Sequence, residues 1–128
     1  MTMAWCFGDE ATSTSRSVLQ SLRQASAIVP QIWSLEVANS LASAERRGRL
    51  TVAKSANFAQ LLRSLPITVA DQDRERILGP VLDLARQQSL SVYDAAYLDL
   101  ALTLGLPIAT NDRRLAQAAE RCGVALFT

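Results

Sequence analysis

Three acidic residues in separate segments of the chain occupy positions at which a carboxylate could do chemistry. Glu36, Asp94 and Asp112 each lie near a predicted strand end or helix start. In parallel α/β sheets ligands collect beyond the carboxyl ends of the strands, so acids in these turns and helix starts are candidates for a site. Clustered carboxylates repel one another unless cations neutralise them. Oxygen-only ligands favour Mg²⁺ or Mn²⁺, and phosphodiester hydrolysis is the natural reaction of such a site.

Asp94 is the most informative of the three acids. The segment Val92–Leu104 is nearly apolar all round, which predicts a buried helix. Asp99 pairs with Thr103 four residues on, and we expect this narrow polar stripe to be the solvent edge of the helix. Asp94 lies about 140° away from Asp99, on an apolar face where an ionised carboxylate needs a partner. The alternative is a capping box, Ser91-x-x-Asp94, and the sequence does not separate the two.

Asp112 and Glu36 have structural alternatives as well. Asp112 follows a predicted strand and precedes a predicted helix, which is both a site position and a favoured N-cap position. Glu36 lies on a predicted helix with Asn39, Ser40 and Ser43 at i+3, i+4 and i+7. That polar stripe is typical of a solvated helix face. If Glu36 belongs to a site, the small polar side chains beside it would let a sugar-phosphate backbone approach closely.

The composition excludes several other kinds of site. The chain has no histidine and two cysteines, which excludes the common Cys/His zinc ligand sets and a histidine-activated nucleophile. Its lysine, Lys54, follows no glycine-rich turn, so a P-loop is excluded. The net charge of +1 means that any RNA contact must come from a local patch. No apolar run approaches the roughly 20 residues of a membrane span and no leader opens the sequence, so we expect a cytoplasmic protein without membrane contact.

The elements that position these acids follow from periodicity and turn residues. Strands alternating with helices predict one α/β domain over residues 1–128 with a mostly parallel sheet. Gly79-Pro80 should kink one of the helices. The predicted helices are Ser13–Gln24, Gln31–Arg47, Thr51–Leu65, Asp73–Gln88, Ser91–Leu104 and Arg113–Arg121, and the predicted strands are Ala27–Val29, Ile67–Ala70, Pro107–Thr110 and Val124–Phe127.

Four stretches spread over nearly the whole chain resemble a known family. They are Met3–Glu10 (MAWCFGDE), Pro30–Asn39 (PQIWSLEVAN), Leu90–Leu98 (LSVYDAAYL) and Leu106–Leu115 (LPIATNDRRL). In this order they resemble the PIN-domain nucleases, and specifically the VapC-type toxins of bacterial type II toxin–antitoxin pairs.

The resemblance implies a fold, an activity and a set of partners. The fold is a three-layer α/β/α sandwich, and the activity is Mg²⁺- or Mn²⁺-dependent endoribonuclease cleavage of RNA. The implied partners are a second copy in a homodimer and a small VapB-like antitoxin. The resemblance carries over Glu36, Asp94 and Asp112 as catalytic and metal-binding acids, with Thr110 and Asn39 as supporting residues.

The chain departs from the family pattern at its start. Family members open with a hydrophobic strand that ends in Asp-x-Ser/Thr, and this aspartate is a further metal ligand. The resemblance therefore implies an N-terminally truncated domain without the first strand and the first acid. The alternative to an active nuclease is a catalytically impaired PIN-like interaction module that binds an antitoxin or dimer partner without cleaving RNA.

Overall fold

The computed structural model describes Cys6 and residues 11–127 of the 128-residue chain. Met3–Glu10, the first stretch of the resemblance, lies outside these residues except for Cys6. No helix in the described part is long and apolar enough to cross a membrane. In chain order the elements are α1 (Ser13–Ser21), β1 (Ala27–Pro30), α2 (Ile32–Arg46), α3 (Val52–Ser64), β2 (Ile67–Ala70), the short α4 (Arg74–Arg76), a π-helical turn (Ile77–Val81), α5 (Leu82–Gln88), α6 (Val92–Leu104) and α7 (Arg113–Arg121).

Strands β1 and β2 form a parallel pair. The register places Ala27 opposite Ile67 and Pro30 opposite Ala70. Parallel strands need a long crossover connection, and α2 and α3 supply it here. The predicted α/β class and the parallel pairing of these two strands are confirmed, and β1 extends one residue further than predicted to include Pro30.

The other two predicted strands are reduced to one parallel bridge between Ile108 and Leu126. Ile108 N–H donates to the Ala125 carbonyl at 3.0 Å, and Phe127 N–H donates to the Ile108 carbonyl at 2.9 Å. Within the described residues neither segment pairs with β1 or β2. The prediction of four-residue strands is wrong for these segments, because sequence pattern reports strand propensity and not whether a continuous hydrogen-bonding partner lies alongside.

Two helices differ from their predicted form for local reasons. Helix α1 ends at Ser21, short of Gln24, because Arg23 and Gln24 donate to carbonyls three residues earlier and so tighten the chain into a turn. Where a kink is predicted at Gly79-Pro80, the structure has the π-helical turn Ile77–Val81, which separates α4 from α5. Proline has no N–H to donate, so a regular α-helical ladder cannot continue through it.

The main core surrounds α6, as its apolar sequence predicts. Ala95 and Leu98 are completely buried, and α6 packs against β1, α5, α7 and the π-helical turn. A smaller core joins α2 to α3 through the buried side chains Val37, Leu41, Phe58 and Leu62. Packing on several sides fixes where the first turn of α6, which carries Asp94, lies in the molecule.

Asp99 is not at a solvent edge, so the expectation for that residue is wrong. Its exposed fraction is 4%. Arg76 donates to both carboxylate oxygens, at 2.8 and 2.6 Å, and Gln72 Nε2 donates to Oδ2 at 3.0 Å. Thr103 bonds the backbone carbonyl of Asp99 at 2.9 Å. Helical spacing located the polar stripe but could not reveal that α4 and the preceding loop cover it.

Asp99→Asn should lower the free energy of unfolding by about 1–3 kcal/mol, because the buried Asp99 loses the charge that pairs with the partly exposed Arg76. The matched control is Asp83→Asn, which breaks the ion pair of Asp83 with Arg86, whose side chains are 62% and 68% exposed. The control should change stability by less than about 0.5 kcal/mol. Urea unfolding measures both. Equal small losses would contradict a stabilising role for the ion pair of Arg76 with Asp99.

Candidate functional site

Asp94 lies in the first turn of α6, where Ser91 is the N-cap residue. The backbone N–H of Asp94 donates to Ser91 Oγ at 3.1 Å, which is the first half of the capping box. The second half, a bond from the Ser91 N–H to the Asp94 carboxylate, is not formed among the described residues. Ser91 therefore caps the helix, and the cap does not require the half-buried carboxylate of Asp94.

The charges of the other two predicted acids act on Asp94. The pKa of Asp94 is raised, chiefly by burial and then by the negative charges of Asp112 and Glu36, while a hydrogen bond with the Ser91 side chain lowers it. Within the described part of the chain, no arginine or lysine forms an ion pair with any of the three acids. Two carboxylates from distant segments thus act on the charge of Asp94, and within residues 11–127 no cationic side chain pairs with any of the three acids.

Glu36 lies exposed on α2 and is held by a residue of α6. The Tyr97 hydroxyl donates to Glu36 Oε1 at 2.7 Å. Burial raises the pKa of Tyr97, and its hydrogen bond to Glu36 raises that pKa further. Asn39 is exposed three residues after Glu36 on the same helix. The solvated helix face expected as the alternative is present in part, because Glu36 and Asn39 are exposed whereas Ser40 and Ser43 are half-buried.

Asp112 is the N-cap residue of α7, so the structural alternative for this residue is confirmed. Its Oδ1 accepts the backbone N–H groups of Arg114 at 2.8 Å and Leu115 at 3.2 Å. Thr110 Oγ1 accepts the N–H of Asp112 at 3.0 Å and holds the turn. The second oxygen, Oδ2, accepts no bond from a described residue. Capping and ligation are therefore compatible, because they can use different oxygens.

The acids lie on an open surface. Among the described residues no three His, Cys, Asp or Glu side chains form a group that could hold a metal ion by themselves. Two surface hollows of about 580 and 360 Å³ are lined by none of the three acids, and Glu36 and Asp112 are exposed. The assignment of Glu36, Asp94 and Asp112 as metal ligands stays a prediction.

Sequence reasoning assigned no role to Tyr97, although the structure joins it to a predicted site residue. One signal was available, because Tyr97 follows Asp94 by three residues and so shares its helix face. Its partner Glu36 is 61 residues away in the chain. Helical spacing can place Tyr97 near the site, but only the packing of α6 beside α2 reveals the bond.

Two substitutions at position 112 should separate the cap from the charge. Asp112→Ala should cost about 1 kcal/mol of unfolding free energy because α7 loses its N-cap, whereas Asp112→Asn should cost little because asparagine caps equally well. Urea unfolding without metal measures both. Equal losses for the two variants would show that the charge of Asp112, and not its capping bonds, stabilises the fold.

Asp94→Asn should remove a pH-dependent loss of stability. Because the pKa of Asp94 is raised in the folded chain, its contribution to stability is present below its unfolded pKa and is lost as pH rises through the folded pKa. The unfolding free energy of the variant, relative to that of the wild type, should therefore be higher at neutral pH than at acidic pH. Urea unfolding without metal at both pH values measures the gain. A difference independent of pH would contradict the charge interaction.

Comparison with known proteins agrees with the resemblance seen in the sequence. The PIN domain family model matches residues 2–121. The chain is 36% identical over 91 residues to ribonuclease VapC3 of two Mycobacterium tuberculosis strains, which covers 70% of this chain and 62% of the relative. It is 34% identical over 82 residues to ribonuclease VapC3 of Pyrobaculum aerophilum, which covers 64% of this chain and 63% of that protein.

The chain thus spans less than two thirds of the length of these curated relatives. The predicted resemblance to PIN-domain nucleases of the VapC type is confirmed by the family match and by the identities. Because the family model covers residues 2–121, nearly the entire sequence, the chain belongs to the PIN-domain family.

Proposed function

We propose that the chain is a metal-dependent endoribonuclease, the toxin of a toxin–antitoxin pair, which hydrolyses RNA phosphodiesters. The observation that carries the proposal is that the negative charges of Glu36 on α2 and Asp112 at the start of α7 both act on Asp94 of α6. No described arginine or lysine forms an ion pair with any of the three. The names of the curated relatives, both ribonucleases, support RNA as the substrate.

The donor set fits Mg²⁺ or Mn²⁺. Glu36, Asp94 and Asp112 offer hard oxygen ligands, which suit Mg²⁺ and Mn²⁺ better than the sulfur and nitrogen ligands typical of zinc sites do. Mg²⁺ keeps several water ligands and is commonly held by one or two carboxylates together with substrate phosphates. An open surface without a closed group of three ligands is compatible with that mode of binding. When bound, such an ion lowers the pKa of a water molecule and stabilises charge on phosphoryl oxygens.

Several residues beside the acids could contact an RNA backbone. Thr110 holds the turn that presents Asp112, and the small exposed side chain of Asn39 leaves room beside Glu36. Arg113 and Arg114 are exposed directly after Asp112 and form no ion pair with a described residue. Their guanidinium groups provide the local positive charge for phosphate contact that the net charge of the chain does not supply.

A second candidate function is favoured by one observation. The described residues hold no group of three acids, cysteines or histidines suited to bind a metal without further ligands. A catalytically impaired PIN-like module, which binds an antitoxin or dimer partner without cleaving RNA, would have such a surface. The two functions differ in whether the acids bind a divalent cation with an affinity that depends on Asp94.

Asp94→Asn should weaken Mn²⁺ binding at least tenfold and abolish metal-dependent RNA cleavage, because the substitution removes an anionic ligand from a hard-cation site. Calorimetry gives the affinity, and cleavage of one labelled RNA with Mn²⁺ and with chelator gives the activity. Asp83→Asn is the matched control, since Asp83 is exposed and paired with Arg86, and it should leave both unchanged.

The outcomes separate the two functions. Cleavage by the wild type that chelator and Asp94→Asn both abolish would support the nuclease. Absence of Mn²⁺ binding and cleavage in the wild type would favour the interaction module. Unchanged Mn²⁺ affinity in Asp94→Asn, with a large loss of stability, would show that Asp94 serves only the helix start.

The remaining expectations come from the sequence pattern and from the family resemblance. Homodimerisation, pairing with a small VapB-like antitoxin, a cytoplasmic location and the choice between Mg²⁺ and Mn²⁺ stay predictions. None of them is needed for the experiment on Asp94, which can be made on the purified chain.

A further inference from the structure

Tyr97 joins the two helices that carry two of the predicted acids. Its hydroxyl donates to Glu36 Oε1 at 2.7 Å, and its own helix, α6, carries Asp94 three residues earlier. The side chain of Tyr97 is half-buried, whereas that of Tyr93 on the same helix is 59% exposed and has no described hydrogen bond. Tyr97 therefore packs at the boundary between the core and the carboxylate surface.

The bond restricts a side chain that would otherwise be mobile. Glu36 is exposed, and a free glutamate side chain samples many rotamers that a bound metal would have to select among. A hydrogen bond to Oε1 fixes one oxygen and leaves Oε2 for another ligand. Because a tyrosine hydroxyl is neutral at the pH of interest, it holds the carboxylate without cancelling its charge.

We propose that Tyr97 is a positioning residue that orients Glu36 for binding a divalent cation. The inference rests on the proposed function, since it requires that Glu36 be a ligand. Tyr97 contacts the carboxylate oxygen and acts through it. Groups that orient a metal ligand in this way change metal affinity by about 10- to 100-fold when they are removed.

A purely structural role for Tyr97 gives a different result. If the bond only ties α6 to α2, its loss lowers stability equally with and without metal and leaves the Mn²⁺ dissociation constant unchanged. If Tyr97 positions Glu36, its loss weakens Mn²⁺ binding, and the effect depends on the carboxylate at position 36. The dissociation constant in a double-mutant cycle distinguishes the two roles.

The experiment measures Mn²⁺ affinity by calorimetry on the wild type, Tyr97→Phe, Glu36→Gln and the double variant, with Tyr93→Phe as the matched control. Tyr97→Phe should raise the dissociation constant about tenfold. Tyr93→Phe, the same change on the exposed face of the same helix, should leave it unchanged. In the Glu36→Gln background, Tyr97→Phe should cause no further loss, because the ligand that the hydroxyl orients is gone.

Urea unfolding of each variant without metal reports stability separately. Unchanged Mn²⁺ affinity in Tyr97→Phe, with wild-type binding intact and sensitive to Asp94→Asn, would overturn this inference and leave the proposed function standing. A tenfold loss that persists in the Glu36→Gln background would also overturn it, since Tyr97 would not then act through Glu36. Absence of Mn²⁺ binding in the wild type would overturn the proposed function and this inference together.

Discussion

Asp94 is partly withdrawn from water while the negative charges of Glu36 and Asp112 act on it. Burial and like charge both disfavour an ionised carboxylate, so the folded chain carries a local electrostatic cost at this surface. The described neighbours do not remove the cost with a cation. They hold the acids with neutral donors: the Tyr97 hydroxyl for Glu36 and backbone N–H groups for Asp112. Neutral donors fix positions and leave the negative charge available to an incoming ion.

The two aspartates of α6 show the contrast within one helix. Asp99, buried on one face, receives a bidentate guanidinium from Arg76 and an amide from Gln72. Asp94, on another face, has a serine cap beside it and two further carboxylates acting on it. The structural acid Asp99 is thus paired with a cation, whereas none of the predicted site acids pairs with one among the residues that the structure describes. Because α6 packs against β1, α5 and α7, both environments are fixed by the same buried helix.

Local pattern predicted much of this arrangement. The apolar run of α6, the N-cap role open to Asp112 and the bounds of β2 all follow from nearest-neighbour chemistry, and the structure agrees with each. The errors arose where the answer depends on distant segments. The expectation that Asp99 lies at a solvent edge is wrong because its partner Arg76, which covers it, lies on another element. Tyr97 received no role because its partner, Glu36, lies 61 residues away.

The prediction of strands at Pro107–Thr110 and Val124–Phe127 is wrong for the same reason. Their residues have strand propensity, but among the described residues the pairing is confined to the single bridge of Ile108 with Leu126. Propensity is a property of a segment, and a ladder is a property of two segments side by side. The candidate site shows the complementary case. The positions of the three acids near predicted strand ends and helix starts suggested one cluster, and the family resemblance carried over the same three, although each acid alone had a structural alternative.

The central claim is that the unneutralised carboxylates form a binding surface for a divalent cation. Anomalous diffraction from crystals of the chain soaked in Mn²⁺ tests it most directly, because the signal locates the ion independently of any activity. The account predicts an anomalous peak within ligand distance, about 2.0–2.3 Å, of carboxylate oxygens of Asp94 and Glu36. An anomalous peak only at other residues, or no peak at millimolar Mn²⁺, would contradict it.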